Sequence, residues 1–392
     1  MANTSRQYEA FATKRGLPFL IVCAGPENRA SVAGAVTRVM CRRGAVGFPL
    51  DKKHFFDLAF WRHYDRAKDA ILKFAPDVIH VTGPSDAGQL GALLARRLHI
   101  PLAASWHTNL HQYAERRALA AMCFLPECLQ QGVGSAVREF SLARVLSFYG
   151  LAQILFAPNP QLVDLLEKAT GKPVRPMHRG VDTDLFRPER RERTGSNFVL
   201  GYVGRLTPEK NIRFLAELEA ALRESGLSNF RFSIVGQGSE ESWLRANMRS
   251  ADFAGVLQGE ALARAYANMD AFVFPSRTDT FGNVVLEALA SGVPAIVTDS
   301  GGPQFVIRNG ETGFAAHTTS EFVAYVHHLM EQPAALQKMR DAARASALSA
   351  SWDSIFEGLY AGYGCGLREC AVEAKGQAKA RPQARIATEH LG

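Results

Sequence analysis

Between Pro18 and Asp299 the chain repeats one pattern: a short apolar run, a turn residue, then a stretch whose apolar residues recur at helical spacing. The apolar runs are too short for buried helices. They also lack the strict alternation of a half-solvated strand, so they read as strands buried on both faces, as in a parallel sheet covered by helices. The first set is Pro18–Ala24 (PFLIVCA, closed by Gly25-Pro26), Asp77–Thr82 (DVIHVT, closed by Gly83-Pro84), Pro101–Trp106 and Ala152–Pro158. The segments Ala30–Arg43, Phe55–Phe74, Asp86–Leu98, Glu115–Gly150 and Asn159–Lys168 read as helices. A second set starts at Phe198 with FVLGYV (198–203), RFSIVG (231–236), AGVLQ (254–258), AFVFPS (271–276) and PAIVTD (294–299). Strand–helix alternation of this kind specifies a doubly wound α/β sheet. Two such blocks, joined by a linker at Met177–Pro188 and a charged hinge at Glu189–Thr194, predict two Rossmann-like domains facing across a cleft. The expected limits are residues 1–188 and 189–350, with a helix over 351–371 returning to the first domain. The tail, 372–392, is rich in Ala, Lys, Arg, Gln and Pro without an apolar period, and is expected to be disordered and basic.

Composition narrows the function classes. A length of 392 residues suits two domains. The net charge of +7, from 45 basic and 38 acidic residues, fits a partner that carries phosphates. No dense Lys/Arg run with interleaved aromatics is present, so nucleic acid is not an expected partner. The six cysteines form no C-x-x-C pair, and none has histidines at zinc spacing, so reduced thiols and no bound metal are expected. Met1–Leu17 is polar and charged, and no apolar run approaches the roughly 20 residues that span a bilayer. The expectation is a soluble, cytoplasmic protein, with at most a peripheral contact at the inner face of the membrane.

Three segments carry candidate chemistry. In Ser276–Pro294 a buried strand ends at Ser276, a loop holds Asp279 and Gly282, and a helix opens near Asn283, passes through Glu287 and stops at Gly292 with Pro294 beyond. Ligands of parallel α/β sheets sit beyond the carboxyl ends of strands. Backbone N–H groups around Phe281, Gly282 and Asn283 would face such a ligand at a helix N-terminus, and phosphate or sugar oxygens bind well there. In Gly201–Asn211 a strand ends at Val203, Arg205 lies in the loop, and Thr207-Pro208 reads as an N-cap and first helical residue, with Lys210 in the opening turn. Two cations there suit a diphosphate and the charge that develops when a nucleotide departs. The third segment, Ser105–Asn109, places His107 just after a strand, where it suits a sugar hydroxyl or an acceptor and equally suits a satisfied core position.

Two patterns carry less. Asp182-Thr183-Asp184 lies in the linker and reads as structural rather than as a metal site. Gly236-Gln237-Gly238 lacks the third glycine of a dinucleotide fingerprint and reads as the floor of a nucleotide pocket. A glycosidase pair is disfavoured because Asp279 in a loop and Glu287 on a helix, beside a phosphate site, fit nucleotide recognition better.

Together these segments resemble glycosyltransferase family 4, the retaining enzymes of GT-B fold. The likeness is strongest over about Phe198–Phe314 and extends to Arg179–Phe186 and Ser105–Tyr113. His107-Thr108-Asn109 and the linker are most similar to the glycolipid branch, which includes sulfoquinovosyl diacylglycerol synthases and lipid mannosyltransferases. The family's E-x7-E motif maps onto Asp279 and Glu287, with Asp in place of the first Glu. The resemblance implies a donor-binding set of Gly204, Arg205, Lys210, Gly236, Asp279, Phe281, Gly282, Asn283, Val284 and Glu287. Asp279 would contact sugar hydroxyls, Glu287 the ribose, Arg205 and Lys210 the diphosphate, and His107 the transferred sugar. His107, Arg205, Lys210 and Asp279 would then be the catalytic groups, working by front-face displacement with no cofactor and no metal. The implied donor is a UDP- or GDP-sugar and the implied acceptor includes lipids. The first loop, Gly25–Gly34, lacks the family's Gly-Gly pair, and Arg43–Phe55 is short for the strands expected there. Both departures leave a catalytically weakened scaffold, binding nucleotide sugar or a partner, as the alternative.

Overall fold

The computed structural model describes residues 2–49, 55–122, 126–193, 195–373 and 386–390. The chain divides into two compact units, one of Met1–His178 with Ile355–Gly392 and the other of Arg179–Ser354.

The first unit opens with α1 (Ala2–Arg15), β1 (Phe19–Gly25), β2 (Arg29–Ala33) and β3 (Val36–Arg42). A small antiparallel pair follows, β4 (Gly47–Pro49) and β5 (Phe55–Asp57). Then come α2 (Tyr64–Phe74), β6 (Val78–Val81), α3 (Asp86–Arg97), β7 (Leu102–Ser105), α4 (Leu110–Ala121), α5 (Glu127–Tyr149), β8 (Ile154–Ala157), α6 (Pro160–Thr170) and β9 (Val174–Pro176). Local chemistry sets these ends. Ser85 caps α3 by accepting from the Gly88 amide, and Asn159 caps α6 by accepting from Leu162, with Pro160 in the first helical position. Gly171, at φ 66°, closes α6 in the left-handed conformation that glycine adopts without a Cβ clash.

The second unit contains β10 (Phe198–Val203), α7 (Phe214–Glu224), β11 (Phe230–Val235), α8 (Glu241–Asn247), β12 (Ala251–Gly255), α9 (Gly259–Ala267), β13 (Ala271–Phe274), α10 (Asn283–Ala290), β14 (Ala295–Thr298), β15 (Gly313–Ala316), α11 (Thr319–Glu331) and α12 (Pro333–Leu348). Its parallel sheet runs β12-β11-β10-β13-β14-β15. The chain thus winds outward from β10 in one direction and, from β13, in the other. That reversal puts a crevice at the carboxyl ends of β10 and β13, the usual ligand position of an open α/β sheet. The core beneath it holds fully buried Leu200, Tyr202, Phe232, Phe272 and Leu289.

Helix α13 (Trp352–Glu373) carries the chain from the second unit back to the first, and β16 (Ile386–His390) ends the described chain. The first unit's sheet runs β2-β3-β1-β16-β6-β7-β8-β9, parallel except for the β2–β3 pair.

Several expectations are corrected. Ala30–Arg43 is a β-hairpin, not a helix. Gly34, at φ 59°, and Ala35 form its two-residue turn, and Val36, Val39 and Cys41 are buried along β3. A glycine opening a two-residue turn favours a hairpin, and the strand β1 offers β3 a parallel ladder from Phe19 to Gly25. Phe55–Phe74 is helical only from Phe60, through one 3-10 turn and then α2. The expected strand at 254–258 lies earlier, at Ala251–Gly255.

The linker packs with the second unit, so the boundary falls before Arg179 rather than after 188. The Val181 amide donates to the Ala350 carbonyl at 3.0 Å, Arg344 donates to the carbonyls of Thr183 and Phe186, and Gly180 lies against the Trp352 backbone. Asp182 accepts from the amides of Asp184 and Leu185, a turn cap.

The tail expected to be disordered contains β16, which pairs with β1 on one side and β6 on the other. Two strand edges supply backbone partners for every residue between them, and a composition-based reading does not weigh that term. Residues 374–385 and 391–392 of that tail lie outside the described residues. Cys23 and Cys41 are buried free thiols and Cys365 a partly exposed one. Cys123 lies outside the described residues, as do the side chains of Cys128 and Cys370. Among the described residues, no helix is long and apolar enough to cross a membrane.

Candidate functional site

The crevice of the second unit is built by four strand-end loops, after β10, β11, β13 and β14. After β10, Gly204 and Arg205 lead into Thr207 and a single 3-10 turn, Pro208–Lys210. The α-helix expected to open at Pro208 starts only at Phe214, because Asn211 takes the left-handed conformation at φ 53° and breaks the turn. After β11, Gly236 and Gly238 cross directly over the first loop. A Cβ on Gly236 would lie 1.8 Å from the Gly204 oxygen, and one on Gly238 would lie 2.1 Å from the Leu206 oxygen. The amides of Gly204 and Leu206 donate to the carbonyls of Val235 and Gln237, so the two loops are laced by backbone. Gly236→Ala is therefore expected to cost about 3 kcal/mol, from overpacking plus a φ of 138° that L-residues avoid. Urea unfolding measures it; a change below ~0.5 kcal/mol would contradict the close approach.

After β13, the loop from Pro275 carries Asp279 toward Lys210. The Lys210 Nζ donates to Asp279 Oδ1 at 2.5 Å, with both side chains largely buried. Asp279 Oδ2, Thr207 Oγ1, Ser276 Oγ and Ser300 Oγ are buried and have no hydrogen-bond partner. These four atoms come from the ends of β10, β13 and β14. Buried polar atoms are nearly always satisfied, so such a group at a strand-end crevice calls for a polar ligand or water. Arg205 pairs with Glu209 at 3.3 Å and stays half exposed. The Thr278 hydroxyl donates to the Glu209 carbonyl and ties the two loops together.

Helix α10 opens at Asn283 behind Gly282, which sits at φ 99° and has no side chain to cap the first amides. Phe281 is buried beneath the loop. Asn283 and Val284 are the first two helical residues, whose N–H groups have no intrahelical acceptor. At the other end Gly292 (φ 69°) and Val293 donate to Leu289 and Ala288, the stop expected of the Gly-Val-Pro sequence. Glu287 lies on the first turns of α10, partly buried, and its Oε2 accepts from the Tyr266 hydroxyl at 2.9 Å. Burial lifts its carboxyl pKa from 4.5 to about 7, with the Tyr266 hydrogen bond opposing the rise.

Sequence reading missed two parts of this site. Gly301-Gly302, directly after β14, pack against the Asp279 loop. A Cβ on Gly302 would lie 2.1 Å from the Thr280 oxygen, and the Gly302 amide donates to the Asp279 carbonyl at 2.7 Å. Paired glycines after a buried strand were a usable signal. Tyr266 gave none, since an aromatic on a helix reads as core.

His107 belongs to the first unit, just beyond β7, and is buried with its Nε2 2.6 Å from Ser105 Oγ. Around it, Trp106 stacks on Tyr149 and donates to Asn109 Oδ1.

Comparisons with known proteins identify the family. A model of Glycosyltransferase Family 4 matches residues 8–185, and one of Glycosyl transferases group 1 matches residues 197–332. The chain is similar to a GDP-mannose-dependent alpha-mannosyltransferase of Mycobacterium tuberculosis, 33% identical over 75% of this chain and 74% of that protein. It is 32% identical to the protein of that description from Corynebacterium glutamicum over 73% of this chain, and there it spans 64% of the relative's length. It is 31% identical to the sulfoquinovosyl transferase of Arabidopsis thaliana, over 62% of this chain and 47% of that protein. Among solved structures, the sucrose-phosphate synthase of Thermosynechococcus elongatus superposes with a TM-score of 0.67 at 16% identity, covering 95% of this chain and 93% of that one. A glycosyltransferase from Rickettsia africae gives 0.64 at 15% identity, covering 93% and 94%. With both units matched and a third of the residues shared along most of its length, this chain belongs to glycosyltransferase family 4 and has the GT-B fold.

Proposed function

We propose that the protein transfers a sugar from a nucleotide-sugar donor to an acceptor hydroxyl with retention of anomeric configuration. GDP-mannose is the first donor to test, since the mycobacterial and corynebacterial relatives are named for it. A UDP-sugar is the second. A glycolipid acceptor follows from the branch resemblance of His107-Thr108-Asn109 and the linker. The observation that carries the reading is the Lys210–Asp279 pair at the strand ends of the second unit, where Asp279 Oδ2 is buried without a hydrogen-bond partner.

In this reading the ribose diol donates to Glu287, and the diphosphate lies over the loop of Gly204 and Gly236 against Arg205 and Lys210. The amides of Phe281–Val284 and the free oxygen of Asp279 meet the sugar, and the family resemblance gives His107 a contact to the same sugar. The acceptor oxygen attacks the anomeric carbon from the face the nucleotide leaves. The sugar–phosphate C–O bond breaks with its electron pair on the diphosphate, and a diphosphate oxygen takes the acceptor's proton. Arg205 and Lys210 balance the charge that grows there.

Labelled GDP-mannose, UDP-glucose and UDP-galactose, each offered with a lipid extract, test the proposal. Transfer from one donor is expected, with the product anomer matching the donor by NMR. Donor binding with neither transfer nor hydrolysis across the panel would favour the non-catalytic scaffold instead. An inverted product would remove the front-face step.

A further inference from the structure

We infer that His80, in the middle of the first unit's sheet, is a positioning residue that sets the ring orientation and tautomer of His107 through Ser105. The inference rests on the reading that His107 contacts the transferred sugar.

His80 lies on β6 and is only 2% exposed. Both of its ring nitrogens are engaged: Nδ1 with the Tyr363 hydroxyl of α13, and Nε2 with Ser105 Oγ at 2.7 Å. Ser105 Oγ is in turn 2.6 Å from His107 Nε2. Tyr363 is fully buried and receives the hydroxyl of Tyr8, from α1, at 3.4 Å. His80 stacks on Phe156, which fixes its plane. The result is one continuous chain, Tyr8–Tyr363–His80–Ser105–His107, that joins the unit's first helix, its last helix and two central strands.

Counting protons limits how the coupling runs. Burial pushes the His80 pKa down to about 3, so the ring is neutral and carries one N–H and one lone pair. A serine hydroxyl has one proton. The Ser105 oxygen has two lone pairs, so two arrangements satisfy the links: one in which they run in series, and one in which both rings donate to Ser105. In the serial arrangement, which the inference takes, Tyr363 donates to His80 Nδ1, His80 Nε2–H to Ser105, and Ser105 to His107 Nε2. His107 is then left with its proton on Nδ1 and its Nε2 held in place. A chain of this kind is worth more than its separate bonds, since each link polarises the next.

The test uses the full chain labelled with 15N-histidine, and the His107 resonances are assigned by comparison with His107→Ala. The wild type is expected to show His107 as a single tautomer protonated at Nδ1. Ser105→Ala and the gentler Tyr363→Phe, which keeps its buried ring, are expected to give a mixture of tautomers with the fold intact by near-UV circular dichroism. In transfer assays both variants are expected to lose kcat by about 10-fold or more, the range typical of groups that orient a functional histidine, with donor KM little changed. An unchanged His107 tautomer in both variants would overturn the inference, as would a mixed tautomer in the wild type. A wild type that shows the expected tautomers but transfers no sugar would instead sink the proposed function and leave the relay standing.

Discussion

Replacing Lys210 by alanine is expected to lower kcat for sugar transfer by about 10²–10³-fold while donor affinity changes by less than about 10-fold. That range is what loss of one preorganised donor to a developing oxyanion usually costs. The imbalance between the two constants follows from where the ammonium sits. In the unliganded protein it is already held by Asp279 at 2.5 Å, within a turn that the Asn211 break keeps short. The lysine therefore does not have to be captured by the substrate, and its charge counts most when the diphosphate gains charge. Asp279 is the second loser, because in the variant neither of its oxygens keeps a partner from Lys210, and Oδ2 has none to begin with. An unpaired, partly buried carboxylate there opposes the further charge that the diphosphate gains in the transition state, which adds to the loss of kcat. Lys210→Met, which keeps the stem, should behave like the alanine variant if charge is the cause. Steady-state kinetics at saturating acceptor, with calorimetric donor binding, separates the two constants. Undiminished turnover would remove Lys210 from the reaction.

The fold of the second unit was legible because its signals are local. Each strand of the second unit is an apolar run with its own stop, and Gly282, Gly292 and Pro294 frame α10 within one segment. The order of the strands then follows from the handedness of the crossovers, and puts Lys210 and Asp279 at one crevice although they are far apart in sequence. The first unit resisted reading where its contacts are non-local. Arg29–Ala33 has no strong preference of its own, and only pairing with β3 makes it a strand. β16 is invisible to composition because its order comes from the edges of β1 and β6. His80 sat inside an apolar strand and read as core, which it is. Its meaning comes from Ser105 and Tyr363, which no spacing along the chain brings together. Glu287 was found by its motif, but the burial that alters its ionisation depends on Tyr266 and α9 and had no trace in the motif itself.

That altered ionisation links donor binding to a proton if the ribose meets Glu287 as proposed. A carboxyl whose pKa rises from 4.5 to about 7 on folding holds its proton more tightly in the native state. Its contribution to stability is thus complete below pH 4.5 and is lost as pH rises through about 7. Glu287→Gln mimics the protonated form. The ligand-free variant should match the wild type in Tm near pH 5 and exceed it at pH 8. Binding acts in the opposite sense. Ribose hydroxyls that donate to the carboxylate favour the charged form, so the donor must drive off a proton wherever Glu287 is still protonated. Wild-type donor affinity should rise by up to about 10-fold per pH unit below 7 and level off above it. In Glu287→Gln the affinity should fall by about 10–100-fold at pH 8, the loss of hydrogen bonds to a charged group, and its pH dependence should vanish. Calorimetry at pH 6, 7 and 8, in two buffers of different ionisation enthalpy, reads both the affinity and the released proton. Wild-type binding that is flat with pH and releases no proton would show that the ribose does not meet this carboxylate. A variant more stable at pH 8 yet weaker for donor would show that the site keeps Glu287 at the expense of the empty protein's stability.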